Sequence, residues 1–210
     1  MRVTSGECTL VYFNVKTSGG SKVDDIVQLA SRASNGAYST WIEVSSGSGR
    51  TEKRSVEFEY ENGEPFYRGD RVEMVSLEAA LRSFLAVLQS LKKPAVLVSR
   101  TESSGFRPLV QAIKRTKMSE KFIEAVVGFA DLSIVLRKAS TSRGTVSRSP
   151  LSEEERKMLN DEDEPFYDAS RHASLLRGLS TKLSLESDIC DNIRPYTQVF
   201  PESARGLIFF

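Results

Sequence analysis

The sequence predicts an α/β domain in which a mixed sheet carries helices on both faces. Three observations lead there. Between residues 10 and 44, three runs alternate apolar and polar positions, as the strands of an antiparallel meander do. Ser76–Leu91 then repeats leucine at three- and four-residue spacing and leads directly into Ala95–Val98, an apolar run without alternation. A helix feeding a strand covered on both faces is the α/β step. It recurs further on, where helical periodicity in Glu120–Val127 gives way to the short apolar run Asp131–Leu136.

The first strand is Leu10–Val15. Leu10, Val11, Tyr12, Phe13 and Val15 are the β-branched, aromatic and apolar residues of a central strand, and Thr17-Ser18-Gly19-Gly20 breaks the run. The second, Asp25–Ala33 within Val23–Ala33, sets Ile26, Gln28 and Ala30 against Val27 and Leu29. Asn35-Gly36 signals the turn into Tyr38–Val44, which alternates again. Ser45–Lys53 is rich in serine, glycine and arginine and is expected to be a mobile connection. Ser55–Tyr60 alternates enough for a short edge strand, and Asn62–Asp70 reads as loop.

The helix Ser76–Leu91 aligns Leu77, Leu81, Phe84, Leu85, Leu88 and Leu91 on one stripe. Ser76 is its N-cap, Glu78 suits the positive N-terminal end, and Lys92-Lys93 suit the negative C-terminal end. Pro94 stops it. Leu109, Ala112 and Ile113 give Pro108–Thr116 helical period, and Phe122, Ile123 and Val126 do the same for Glu120–Val127. Composition changes at Ala139. Ser140–Pro150 is serine-rich, and Glu153–Glu164 is strongly acidic, with a short capped helix expected at Ser152–Leu159. Asp168–Leu185 is helical with Ala173, Leu176, Leu179 and Leu183 on one face. The remainder carries Pro195 and Pro201 and ends in the apolar Leu207–Phe210.

The chain of 210 residues is 40% hydrophobic, enough for one sizeable core. Lysine and arginine total 29 against 28 acids, so any basic surface must be local. Cys8 and Cys190 are too few and too far apart for a disulfide framework and read as small buried hydrophobes. No apolar run is long enough for a membrane span, and Met1-Arg2 leads into polar residues, so a soluble nuclear or cytoplasmic protein is expected.

Phe13-Asn14-Val15-Lys16-Thr17-Ser18-Gly19 resembles the first motif of the DEDD family of 3′–5′ exonucleases, Phe-Asp-x-Glu-Thr-Thr-Gly. Ile26-Val27-Gln28-Leu29-Ala30 is similar to that family's second strand, Ile-Ile-Gln-Ile-Ala. Phe106-Arg107-Pro108-Leu109 is the nearest match to the second motif, and Arg171-His172-Ala173 through Arg177 to the third. The resemblance implies an RNase H-like three-layer exonuclease fold; residues 1–190 are expected to form the domain, with 139–165 as a flexible inserted loop and 191–210 as a C-terminal tail. It also implies where four carboxylates would hold two magnesium ions. Hard cations take oxygen ligands, and a metal pair activates water and stabilises the leaving oxygen. Here Asn14, Lys16, Arg107 and Arg177 stand at those positions, and His172 at that of the general base.

A second resemblance is to the degenerate exonuclease-like domain at the C-terminal end of the long promyelocytic leukaemia protein isoform. Val75-Ser76-Leu77-Glu78, Phe84-Leu85, Lys92-Lys93-Pro94 and Ala125-Val126-Val127-Gly128-Phe129 carry it. It implies a nuclear partner-binding module. The expectation is a catalytically inactive module for nucleic acid or a protein partner, with no catalytic residue, metal, cofactor, membrane or small-molecule substrate. Lys16, Arg107 and Arg177 are its candidate phosphate-binding residues. The alternatives are a divergent metal-dependent exonuclease acting on DNA or RNA, or a structural domain of a larger scaffold or mobile-element protein. In the plainer reading, Asn14 is an ordinary strand residue, the three cations form surface salt bridges, and His172 is a satisfied helix residue. Asp24-Asp25 then mark a solvated strand entry, and Asp131 is structural.

Overall fold

Alternation in the first strand divides the molecule into two cores. The structure, a computed structural model, describes residue 4 and residues 6–17, 25–43, 59–62, 64–67, 69–142 and 168–199. In β1 (Thr9–Thr17), Val11, Phe13 and Val15 point into one core, while Tyr12 points into the other. β1 is the middle strand of a seven-stranded mixed sheet. It pairs antiparallel with β2 (Ile26–Ala33) on one side and parallel with β8 (Ala95–Ser99) on the other. Beyond β2 come β3 (Gly36–Ile42), antiparallel, and β7 (Met74–Val75), parallel to β3. Beyond β8 come β9 (Val126–Asp131), parallel, and β10 (Arg194–Pro195), antiparallel. A small separate sheet holds β4 (Glu59–Glu61), β5 (Glu64–Tyr67) and β6 (Asp70–Arg71).

The first core is closed by α1 (Leu77–Gln89), α2 (Arg107–Arg115) and α3 (Ser119–Ala125). Ser76 caps α1 as its sequence implies, accepting from Ala79 N, and Ala80, Leu81, Phe84, Leu85 and Leu88 are buried. Tyr38 anchors the helix to β3: its hydroxyl donates to Ala80 O at 2.8 Å and its ring lies 5.6 Å from that of Phe84. The second core lies under α4 (Leu132–Ser142), α5 (Ala169–Lys182) and α6 (Glu186–Cys190), with Tyr12, Val96, Val98, Leu132, Val135, Leu176 and Leu179 at its centre. Cys8 and Cys190 are both buried there as free thiols.

Several boundaries differ from the sequence reading. The expected strand Asp131–Leu136 is instead the end of β9 followed by α4. Asp131 Oδ1 accepts from Ser133 N at 2.9 Å and Ile134 N at 3.2 Å, which makes it the N-cap that starts a helix at Leu132. The helix expected over Glu120–Val127 ends at Ala125, because Val126 and the residues after it pair with β8. Asn62–Asp70, read as loop, contains β5. Of the residues after 190, Arg194 and Pro195 pair with Phe129 and Gly128 at the sheet edge. Tyr196, at the start of α7 (Tyr196–Val199), is buried with its hydroxyl donating to Ser119 O at 2.8 Å. Gly128 makes room for that pairing, since a Cβ there would stand 2.5 Å from Arg194 O. Residues 139–142 complete α4. The connection 45–53, the helix expected at 152–159, most of the inserted segment and the apolar end 207–210 lie outside the described residues.

Candidate functional site

Registers across β1, β2 and β3 bring Lys16 beside Gln28 and Gln28 beside Trp41. Directly opposed residues of antiparallel strands share a face, so these three form a row on the side covered by α5. Asn14 and Tyr12 lie on that face too, two and four residues before Lys16. The row is extended by β5. Tyr67 sets its ring 4.6 Å from that of Trp41, and Lys16 Nζ donates to the Tyr67 hydroxyl at 3.3 Å while lying 5.6 Å from the ring centroid.

Above this row, α5 runs antiparallel to β1. Its first residue is held near Gln28 by the bond from Ala169 N to Gln28 Oε1, 2.7 Å. Near its end, Tyr12 OH donates to Ser180 Oγ at 2.6 Å. Burial pushes the Tyr12 hydroxyl up to about 12, and this bond opposes the shift. His172 lies in the first turns of the helix, where burial takes its imidazole down to about 4, with Arg100 and Lys16 adding to the shift. The ring is therefore neutral at pH 7. Its Nε2 is buried without a hydrogen-bond partner among the described residues.

The structure thus brings Lys16 and His172 together, with Asn14 on the same face. Arg107 sits elsewhere, exposed at the start of α2. That helix packs on the opposite face, behind the buried Phe106. Arg177 lines a cavity with Cys8, Leu10, Tyr12, Ser34 and Asn35, at the other end of β1. The cation that accompanies Lys16 at His172 is Arg100, immediately after β8, which the motif comparison did not single out. Its signal in the sequence is positional: a cation at the carboxyl end of a buried parallel strand, where ligands of open α/β sheets gather.

Of the acids that the sequence singled out, Asp131 and Asp25 have partners of their own, and Asp24 lies outside the described residues. Asp131 Oδ1 also accepts from the Ser133 hydroxyl at 2.6 Å, and its Oδ2 accepts from Glu102 N at 3.0 Å, tying the turn after β8 to the start of α4. Asp25 pairs with Arg115 at 2.8 Å. Among the described residues no three His, Cys, Asp or Glu side chains gather as a metal site, and no helix is long and apolar enough to cross a membrane.

An exonuclease I from Methylocaldum szegediense superposes with a TM-score of 0.57 at 12% identity, covering 95% of this chain and 45% of that one. The fold is exonuclease-like. It is a mixed seven-stranded sheet with helices, consistent with the RNase H-like exonuclease architecture. This chain spans less than half the length of that enzyme. No family model and no curated protein sequence matches the chain.

Proposed function

We propose that the chain is an exonuclease-like module without metal-dependent catalysis, which binds nucleic acid through phosphate at the Lys16 end of β1. The observation that carries this reading is the placement of Lys16 opposite Gln28, under the helix start that bears the buried His172, with Arg100 close enough to act with Lys16 on that imidazole, whose fall is due first to burial. Magnesium needs carboxylates at such a site. Two fixed positive charges would repel each divalent cation by several kcal/mol at short range, even at an effective dielectric near ~20. The same charges favour a phosphate, and the Trp41–Tyr67 pair beside Lys16 offers aromatic surface of the kind on which single-stranded bases stack. The net charge of +1 points to a modest affinity. The sequence runs that resemble the promyelocytic leukaemia protein domain favour a degenerate, nuclear module.

The test combines digestion of labelled single-stranded DNA and RNA in magnesium or manganese with binding of the same oligonucleotides across a salt series. The expected result is no cleavage, and binding that weakens steeply with salt and is lost in the Lys16→Ala/Arg100→Ala variant. Metal-dependent cleavage that survives purification and disappears in His172→Ala would establish the enzyme reading. Absence of low-salt binding would leave protein recognition as the module's role.

A further inference from the structure

Arg177 lines a cavity away from Lys16 and His172. The cavity it lines has a volume of about 500 Å³ at the amino end of β1, between the last turns of α1 and α5, and the rest of its lining includes Lys92, Lys93, Thr181 and Glu186. A guanidinium ordinarily finds a carboxylate when half-buried. Here that of Arg177 has no ion pair or hydrogen bond among the described residues, and acts only at a distance on Tyr12. Lys93 is tied to the cavity rim, its ammonium donating to Gly6 O.

Charge decides what fits. Three cations face one carboxylate, Glu186. The C-terminal ends of α1 and α5 each contribute roughly half a negative charge, which leaves the cavity about one unit positive. Serine, threonine and asparagine side chains (Ser34, Asn35, Thr181) supply neutral donors around Arg177, while Leu10 and Leu91 supply limited apolar surface. A cavity of this size accommodates a small organic molecule, for which roughly 300–1,000 Å³ is usual.

We propose that this cavity binds a small molecule carrying one oxyanion head group, a phosphate ester or a carboxylate, with Arg177 gripping the head in a bidentate fork and Lys92 adding its charge. This site is separate from the Lys16 end of β1 and does not depend on the reading given there.

The test is titration of the full chain with glycerol phosphate and, separately, succinate at constant ionic strength, followed by amide chemical shifts of Asn35 and Thr181. Saturable shifts are expected with at least one probe, and the stronger probe identifies the head group. Arg177→Met should weaken binding by about tenfold or more, the loss expected for a charge-assisted pair. Lys92→Met should weaken it less, and Lys16→Ala should leave it unchanged. Circular dichroism of each variant checks folding. The inference fails if neither probe gives saturable shifts, if folded Arg177→Met binds as the parent does, or if Lys16→Ala abolishes binding.

Discussion

Gln28 Oε1 accepts the backbone N–H of Ala169 at 2.7 Å across 141 residues of sequence. The bond is buried and supplies one of the N-terminal partners that a helix cannot find within itself. Asp168 supplies another, accepting from Arg171 N at 2.6 Å. One cap is local and the other belongs to the sheet, so the start of α5 is anchored to β2, and that anchor sets His172 near Lys16.

Gln28→Leu removes the acceptor and leaves the Ala169 N–H buried and unpaired. The expected cost is about 1–3 kcal/mol, read as a lower urea midpoint with an unchanged slope. A shift in the His172 ring resonances should accompany it. A variant as stable as the parent would show that Asp168 alone caps the helix.

Stability should fall on acidification through the window set by His172. Its folded value, about 4, lies below the ordinary histidine value of 6.5, so between these the unfolded chain binds more protons. Stability is therefore greatest above pH 6.5 and declines as pH drops toward 4, by up to about 3 kcal/mol. His172→Leu should flatten that part of the profile. Lys16→Met, which removes one contributor, should raise the imidazole pKa in a proton NMR titration.

Ser184 and Lys117 follow α5 and α2 in the left-handed conformation, with φ of 52° and 56°. Leu185 N→Ser180 O and Met118 N→Ile113 O close both helix ends in the manner glycine usually serves. Ser184→Gly and Lys117→Gly should each stabilise the fold by about 0.5–1 kcal/mol, relief of the left-handed cost being partly offset by a freer unfolded chain. Thermal midpoints measure this.

Gly128→Ala should separate β10 from β9, because the new methyl would meet both Arg194 O and Ile193 Cγ2 at 2.5 Å. The expected loss is about 1–3 kcal/mol, with faster amide exchange confined first to residues 193–199. Exchange unchanged in that segment would mean that the buried Tyr196 holds it without the strand pairing.

Much of this arrangement is legible in the residues themselves. Leucine period and Ser76 define α1, alternation places β1 through β3, and a covered apolar run places β8, since burying one face or two leaves a pattern that needs no partner to be read. The run Asp131–Leu136 was not legible, because six apolar-rich residues suit a strand or a helix equally and the Asp131 cap decided between them. The candidate site was legible only in part. Local motif order identified Asn14, Lys16 and His172, which share one face of the sheet and the helix above it. Arg100 joins them, and Arg177 departs to another cavity, through the position of α5 against β1 and β2. That position rests on the Gln28–Ala169 and Tyr12–Ser180 bonds, contacts between residues more than a hundred positions apart. Helical period says which residues share a face, but only such long-range contacts decide what that face meets.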